Sequence, residues 1–250
     1  MLAMLYGSAA YLGFVGSFIY AVCFIAGIGV PAALDGPARS APLEALLVNT
    51  ALLALFAVQH SVMARKGFKA WWTKIVPPVV ERSTFVLAAD ICLFLLCWFW
   101  QPIEGTVWSV TNPIAVFALH AVFWAGWAVL LLATFLINHF ELFGLRQPFA
   151  QLTGRQIPAP EFRTPMLYKV VRHPIYAGFL MGFWAAPEMT LGHLLFALGG
   201  TGYILVGIWF EERDLIAHFG ERYRAYRKQV PMLFPRLGRR SDTERAQKPG

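Results

Sequence analysis

The stretch that decides the fold opens with RHPIYAG at residues 172–178 and closes with WFEERD at residues 209–214. Between these ends, residues 175–210 form a run of 36 mainly apolar residues. A single helix of that length would be about 54 Å long, whereas the hydrocarbon core of a bilayer is about 30 Å thick. A break near Pro187 resolves the mismatch. The sequence therefore predicts a broken helical hairpin with both charged ends on one side of a membrane.

The rest of the chain has the composition of a membrane protein. The 250 residues are 58% hydrophobic and 14% charged, against roughly 25% charged in soluble domains. Four apolar runs long enough for membrane helices precede the hairpin, at about residues 4–30, 43–64, 83–100 and 114–137. We expect an all-α integral membrane protein with about five membrane segments, the last of them the broken hairpin.

The hairpin is followed by an amphipathic region. Leu215, Ile216 and Phe219 recur at helical spacing, and Tyr223 and Tyr226 continue the pattern after Gly220. This spacing predicts a C-terminal amphipathic helical region on the cytosolic side. The expected organisation is a four-helix membrane scaffold (1–137), a core of cytosolic loop, hairpin and amphipathic region (138–237) and a disordered polar tail (238–250).

Charge fixes the expected orientation. The loops at residues 65–74 and 146–169 are basic, whereas the loops at 31–42 and 101–113 have no basic excess. By the positive-inside rule the basic loops are cytosolic, which also places the hairpin ends there. The net charge of +7 then indicates contact with lipid headgroups and gives little support to nucleic-acid binding. We expect location in the bacterial inner membrane, with the site opening to the cytosol; the sequence makes no prediction of oligomeric state.

The first end of the hairpin carries groups that suit a ligand. Pro174 fits the first turn of a helix, where Arg172 or His173 can hold a ligand carboxylate. Tyr176 supplies a hydroxyl, and Gly178 permits close approach of the backbone. The alternative is that Arg172 and His173 reach out to lipid headgroups, as basic side chains at helix ends commonly do.

The second end adds Glu211 and Glu212. Two adjacent carboxylates directly after an apolar run are costly in a membrane unless they are paired. One is expected to bind a ligand ammonium group, while the other pairs with Arg172 or Arg213. The alternative is an ordinary helix end with an internal Glu–Arg ion pair.

These elements together resemble the isoprenylcysteine carboxyl methyltransferase superfamily. The pattern is R-H-P-x-Y-x-G at 172–178, the hairpin, the two glutamates, F-G-x-x-Y-x-x-Y at 219–226 and Val230-Pro231. The resemblance covers roughly the C-terminal third of the chain. It implies a pocket for S-adenosylmethionine with contacts at His173, Tyr176, Gly178 and Glu212, supported by Arg172 and Glu211.

Two motifs in the N-terminal half and the loop after it indicate which branch of the superfamily the chain resembles. QHSVMAR at 59–65 and NHFELFGLRQ at 138–147 are similar to the methanethiol S-methyltransferase branch, which is related to NnrU-type membrane proteins. This similarity implies methylation of methanethiol to dimethyl sulfide. Two alternatives stay open: another acceptor, such as a different small thiol or the carboxylate of a lipidated cysteine, and a non-catalytic membrane accessory protein.

Thiol methylation suggests candidates for the acceptor side. A thiol attacks best as thiolate, so a nearby base assists the reaction. His60 ends the second apolar run and His139 ends the fourth, and Glu141 is placed to orient His139. We assign these three residues as catalytic candidates, with interfacial hydrogen bonding as the alternative for each histidine.

The same region supplies the candidates for substrate binding, and the cysteines give no sign of a metal. The polar residues around His139 that we assign to substrate binding are Asn138, Arg146 and Gln147. The three cysteines, at positions 23, 92 and 97, lie inside apolar runs without metal-ligand spacing. We therefore expect no metal.

Overall fold

The computed structural model describes residues 1–158 and 161–235. The predicted tail, 238–250, lies outside these residues. Within the described ranges the helices are α1 (Leu2–Ala26), α2 (Pro42–Met63), α3 (Lys66–Trp72), α4 (Pro78–Phe99), α5 (Pro113–Ile137), α6 (His139–Leu142), α7 (Arg146–Thr153), a 3₁₀ helix (Met166–Lys169), α8 (Pro174–Trp184), α9 (Leu191–Phe219) and α10 (Glu221–Gln229). Two short strands are β1 (Thr106–Ser109) and β2 (Glu188–Thr190).

Four of these helices, α1, α2, α5 and α9, are long and apolar enough to cross a membrane. Their outer surfaces are apolar; Ile114 and Phe117, for example, are 80% and 75% exposed, as lipid-facing side chains would be. The prediction of an all-α integral membrane protein is confirmed. The predicted third segment forms α4, which contacts α1 and α2 but is not among the four spans.

The hairpin forms with its break at the predicted place. α8 ends at Trp184, β2 follows Pro187, and α9 begins at Leu191. The arms are unequal, because α8 has 11 residues and α9 has 29. At 1.5 Å per residue α9 is about 44 Å long, so it extends beyond a hydrocarbon core of about 30 Å. The charged residues 211–214 therefore lie on the projecting end of a continuous helix.

The two strands were not predicted. β1 and β2 pair antiparallel across the turn of the hairpin, with Thr106 opposite Thr190 and Ser109 opposite Glu188. The Trp108 indole N–H also donates to the Ala186 carbonyl, at 3.1 Å. Strands of four and three residues are too short to leave a periodic signal in the sequence. Their pairing holds the hairpin turn against the loop before α5.

A second set of contacts holds the same turn. The buried His193 faces the Asp35 carboxylate through Nδ1 at 2.8 Å and the Phe183 carbonyl through Nε2 at 2.9 Å. Thr190 donates its hydroxyl to the same carboxylate. His193 therefore ties the loop after α1 to both arms of the hairpin, which is a structural role.

At the opposite end of the bundle, the basic segments come together. Arg65, after α2, lies 3.8 Å from the carboxylate of Asp214 on α9. Arg82, near the start of α4, donates from Nε to the Leu142 carbonyl of α6 at 2.8 Å. The Tyr226 hydroxyl of α10 donates to the Tyr168 carbonyl. The two loops predicted to be cytosolic and both hairpin ends thus share one end of the molecule.

Candidate active site

The two ends of the hairpin meet in an ionic cluster of Arg172, His173, Glu211, Glu212 and Arg227. Glu212 is its centre: Oε1 lies 2.9 Å from Arg172 Nε, 2.8 Å from Arg172 Nη2 and 3.2 Å from His173 Nε2. Its other oxygen lies 3.5 Å from Arg227 Nη1. The hairpin thus brings together charged residues about 40 positions apart in the chain, as the sequence predicted.

The chain after α10 fixes the first half of this cluster. The backbone N–H groups of Arg172 and His173 donate to the carbonyls of Pro231 and Met232, at 2.8 and 3.1 Å. Arg172 also donates from Nη1 to the Val230 carbonyl at the end of α10. Pro174 then starts α8 at a position where its missing N–H costs nothing. The Val230-Pro231 part of the motif therefore supports the cluster through its backbone.

The two glutamates have different environments. The Glu212 side chain is 12% exposed and fully engaged, whereas that of Glu211 is 45% exposed. Glu211 lies 3.8 Å from His173 Nδ1 and is one of the charges near the Tyr176 hydroxyl. Arg213, a predicted ion-pair partner, instead lies over the Trp209 ring at 5.8 Å. Glu211 is therefore the more accessible carboxylate, and Glu212 is the internal partner of Arg172, which is the reverse of the roles that the resemblance implies.

Gly178 requires a correction. A Cβ atom at this position would lie 2.5 Å from the Gly126 carbonyl oxygen of α5 and 2.8 Å from the Leu130 Cβ. The glycine therefore lies in the crossing of α8 and α5, where small residues let two membrane helices approach closely. The expected role, backbone approach of a cofactor at Gly178, does not fit this position, since the space is filled by α5.

Tyrosines from neighbouring elements complete the cluster, and the sequence reasoning did not assign them to it. Burial raises the pKa of Tyr168 and Tyr223, and it raises the pKa of Tyr226 to about 12. All three are neutral phenols at physiological pH. The Tyr223 hydroxyl is buried without a hydrogen-bond partner among the described residues. Beside the cluster, a groove of about 330 Å³ is lined by Trp209, Glu212, Arg213, Ile216 and Arg227.

His139 lies in a second, aromatic site. The imidazole is buried and stacks on Phe135, with ring centroids 4.0 Å apart and planes 2° apart. Its Nδ1 is 2.8 Å from Thr134 Oγ1 and its Nε2 is 2.8 Å from the Tyr11 hydroxyl. Burial lowers the pKa of His139 below its usual 6.5, so the ring is neutral at physiological pH.

Glu141 does not orient His139 as expected. Its carboxylate accepts from Asn138 Nδ2 and Arg146 Nη1, because the short helix α6 and the turn at Gly144 bring these donors together. Thr134 and Tyr11 hold the imidazole instead. Two of the three residues predicted to bind substrate, Asn138 and Arg146, thus both donate to the Glu141 carboxylate. The third, Gln147, has a buried side-chain oxygen without a partner in the part of the chain that the structure describes.

His60 lies in a different contact region. It packs among Phe56, Phe85 and Tyr203, at ring-centroid distances of 5.5, 4.8 and 6.2 Å. Within the described ranges its Nδ1 is buried without a hydrogen-bond partner. The contacts of His60 thus come from α2, α4 and α9, and those of His139 from α1, α5 and α6. The structure does not bring the two histidines into contact.

The ionic cluster and the His139 site flank the same turn of α5. Tyr168, whose carbonyl accepts from Tyr226, donates its hydroxyl to the Ala133 carbonyl at 3.4 Å. The next residue, Thr134, contacts His139. The ionic cluster and His139 therefore lie around one helix end.

Comparison with known proteins identifies the relatives of this chain. It is 53% identical over 235 residues, 94% of this chain and 96% of its relative, to a methanethiol S-methyltransferase of Mycobacterium tuberculosis. It is 50% identical over 248 residues, 98% of this chain and 95% of its relative, to methanethiol S-methyltransferase 2 of Bradyrhizobium diazoefficiens. Nurim of Rattus norvegicus is more distant, at 28% identity over 214 residues, 81% of this chain and 77% of nurim.

No family model matches the chain, and no solved structure matches it. The resemblance inferred from residues 59–65, 138–147 and 172–231 is nevertheless confirmed, because the identity to the named enzymes extends over nearly the whole of both chains. The chain belongs to the methanethiol S-methyltransferase family of integral membrane proteins.

Proposed function

We propose that this protein transfers a methyl group from S-adenosylmethionine to methanethiol, giving dimethyl sulfide. The observation that carries the proposal is the ionic cluster where the hairpin ends meet, with His173 Nε2 3.2 Å from Glu212, in a chain about half identical to proteins named for this reaction. The similarity supports the acceptor, and the cluster supports the methyl donor.

The cluster fits the amino-acid part of the cofactor. Glu211 offers a half-exposed carboxylate for the cofactor ammonium, and Tyr176 offers its hydroxyl beside it. The unpartnered hydroxyl of buried Tyr223 is a further polar group for this ligand. His173 and Arg172 hold Glu212 and so keep the two arms together. When bound, S-adenosylmethionine supplies a methyl group on a sulfonium, which a correctly oriented nucleophile attacks without a covalent enzyme intermediate.

The His139 site supports the acceptor half of the reaction. Its neutral imidazole suits the acceptance of a thiol proton, and the rings of Phe14, Phe135, Phe140 and Phe143 surround it. Asn138, Arg146 and Gln147 are polar residues of the same segment, and we retain them as the proposed substrate contacts. His60, with its unpartnered Nδ1, is the second candidate for the base.

We also propose that the site opens to the cytosol from the bacterial inner membrane. The basic segments and the ionic cluster share one end of the bundle, which is the cytosolic end by the positive-inside rule. A charged methyl donor reaches this end from water, and basic side chains there contact lipid headgroups. A small apolar thiol is able to arrive through the bilayer.

The test uses purified protein in detergent with methyl-labelled S-adenosylmethionine and methanethiol. We expect labelled dimethyl sulfide in the headspace. Absence of product with intact cofactor binding would overturn the proposed acceptor, and parallel reactions with a larger thiol and with a prenylated cysteine would reveal either alternative. Absence of cofactor binding by calorimetry would overturn the methyl-transfer function itself.

A further inference from the structure

Tyr11, on α1, is a hydrogen-bond partner of the buried His139. The imidazole is 4% exposed, and one face stacks on Phe135. Thr134 occupies Nδ1 and Tyr11 occupies Nε2. A thiol therefore does not reach either ring nitrogen without displacing one of these hydroxyls.

Hydrogen bonding fixes which nitrogen accepts the proton. Thr134 donates its hydroxyl hydrogen to the Leu131 carbonyl at 2.7 Å, so its oxygen accepts from His139. His139 Nδ1 therefore carries the hydrogen, and Nε2 carries the lone pair. The Tyr11 hydroxyl, 2.8 Å away, then donates to Nε2 and presents its own oxygen lone pairs outward.

From this geometry we propose that the Tyr11 hydroxyl receives the proton of the thiol and passes its own proton to His139 Nε2. The inference rests on the proposed function and adds a residue from α1 to the catalytic set. Thr134 is a positioning residue in the same chain of hydrogen bonds, because it holds the tautomer that leaves Nε2 free to accept.

The step is a double proton transfer. The S–H bond of the thiol breaks and a new O–H bond forms on Tyr11, while the original Tyr11 O–H bond breaks and an N–H bond forms at His139. The thiolate sulfur then attacks the sulfonium methyl of the bound donor, and the departing sulfur retains the electron pair of the broken C–S bond. The imidazolium afterwards loses its proton to water through the same hydroxyl.

The charged groups packed around α1 and His139 come from several elements. Asp90, from α4, accepts from Ser17 of α1 at 3.0 Å, and burial raises its pKa to about 6. Arg82, from α4, reaches the Leu142 carbonyl and remains cationic. Glu141 and Arg146, on its own segment, pair with one another. Tyr168, from the 3₁₀ helix, has its pKa raised by burial.

Tyr11→Phe tests the proposal, since it removes the hydroxyl and keeps the ring that packs on Phe14 and Phe140. We expect turnover at pH 7 to fall about 10²-fold or more, with cofactor affinity unchanged. The defect should shrink as the pH approaches the thiol's own alkaline pKa, because solution then supplies thiolate. Tyr6→Phe is the matched control: Tyr6, on the same helix, donates to Thr84 at 3.0 Å, and its variant should keep full turnover.

A loss of turnover that is equal at every pH, or full turnover of Tyr11→Phe, would overturn the inference and leave the proposed function standing. If the wild-type protein makes no dimethyl sulfide, the proposed function itself fails. Should Tyr11→Phe not fold, Thr134→Val and Thr134→Ser give the answer. We expect the valine variant to lose turnover at pH 7 and the serine variant to regain it; full turnover of Thr134→Val contradicts the assigned tautomer.

Discussion

Glu211 and Glu212 are adjacent in the chain, yet a rotation of one helical residue gives them different chemistry. Glu212 points between the arms of the hairpin and meets the side chains of Arg172, His173 and Arg227, whereas Glu211 points outward beside Tyr176. The sequence predicted that one glutamate would pair and the other would bind a ligand. The resemblance implied Glu212 as the cofactor contact and Glu211 as its support, which is the reverse of the roles we now propose. The register of α9 against α8, which decides between them, depends on packing over the whole hairpin.

The two glutamates are expected to respond differently to substitution. Glu212→Gln leaves Arg172 and His173 near an uncharged amide, so we expect a loss of about 3–5 kcal/mol in the free energy of unfolding. Glu211→Gln should keep that stability and weaken cofactor binding by about 2 kcal/mol, roughly 30-fold. Thermal unfolding and calorimetry measure the two effects, with the exposed Glu221→Gln as control. Equal effects of the two substitutions on both quantities would contradict the assignment.

His139 is expected to act on turnover and not on cofactor binding. His139→Gln should lower kcat by about 10²–10⁴-fold and leave the Kd for S-adenosylmethionine unchanged, since the ionic cluster is formed by other residues. His120, an exposed histidine of α5, provides the control His120→Gln. Full turnover of the His139 variant would show that His60 is the base or that the reaction needs no base.

The lowered pKa of His139 predicts how turnover depends on pH. Burial lowers the pKa of His139 below 6.5, so the neutral, proton-accepting form dominates above that pH. Turnover should therefore stay high down to about pH 6.5 and fall only as the pH drops through the lowered pKa. The free energy of unfolding should also fall as the pH drops below 6.5. The reason is that His139 has the higher pKa in the unfolded chain, which therefore takes up the proton first. An acid limb centred above pH 6.5 would contradict the environment described for His139.

At the scale of elements, the hairpin was predictable because a 36-residue apolar run does not fit a bilayer as one helix and because Pro187 lies within it. The pairing of β1 with β2 was not predictable from the sequence, since strands of four and three residues give no periodic signal. Tyr11 was also missed: it lies 128 positions from His139, and nothing in an apolar helix distinguishes a hydroxyl that meets a partner from one that faces lipid.

The crossing of α8 and α5 gives a prediction about glycine. Gly178→Ala puts a Cβ 2.5 Å from the Gly126 carbonyl oxygen, so we expect destabilisation of about 1–3 kcal/mol from overpacking. Gly202, on α9, has no atom within 4 Å of the equivalent Cβ position, and Gly202→Ala should be neutral or stabilising. Thermal unfolding of both variants checks this. Equal melting temperatures would show that the two helices do not meet at Gly178.

At the scale of the whole molecule, the proposed orientation puts the basic segments at the cytosolic end and the β1–β2 pair at the other. Cysteine introduced as Ser109→Cys on β1 should react with a membrane-impermeant maleimide on intact cells. Cysteine introduced as Gln151→Cys on α7 should react only after permeabilisation. Both positions are exposed, and the wild-type protein with Cys23, Cys92 and Cys97 sets the background. Reversed labelling would reverse the proposed orientation.

Our central proposal is that the ends of the hairpin meet to hold the methyl donor. The sequence supplied the charged ends and the break, and the structure supplied the distance of 3.2 Å between His173 and Glu212. An experimental structure of the protein with S-adenosylhomocysteine tests this claim most directly. We expect the ligand's amino group at Glu211, close to Tyr176 and His173. A ligand bound elsewhere, such as the groove between α1 and α7 lined by Met1, Pro148 and Gln151, would contradict it.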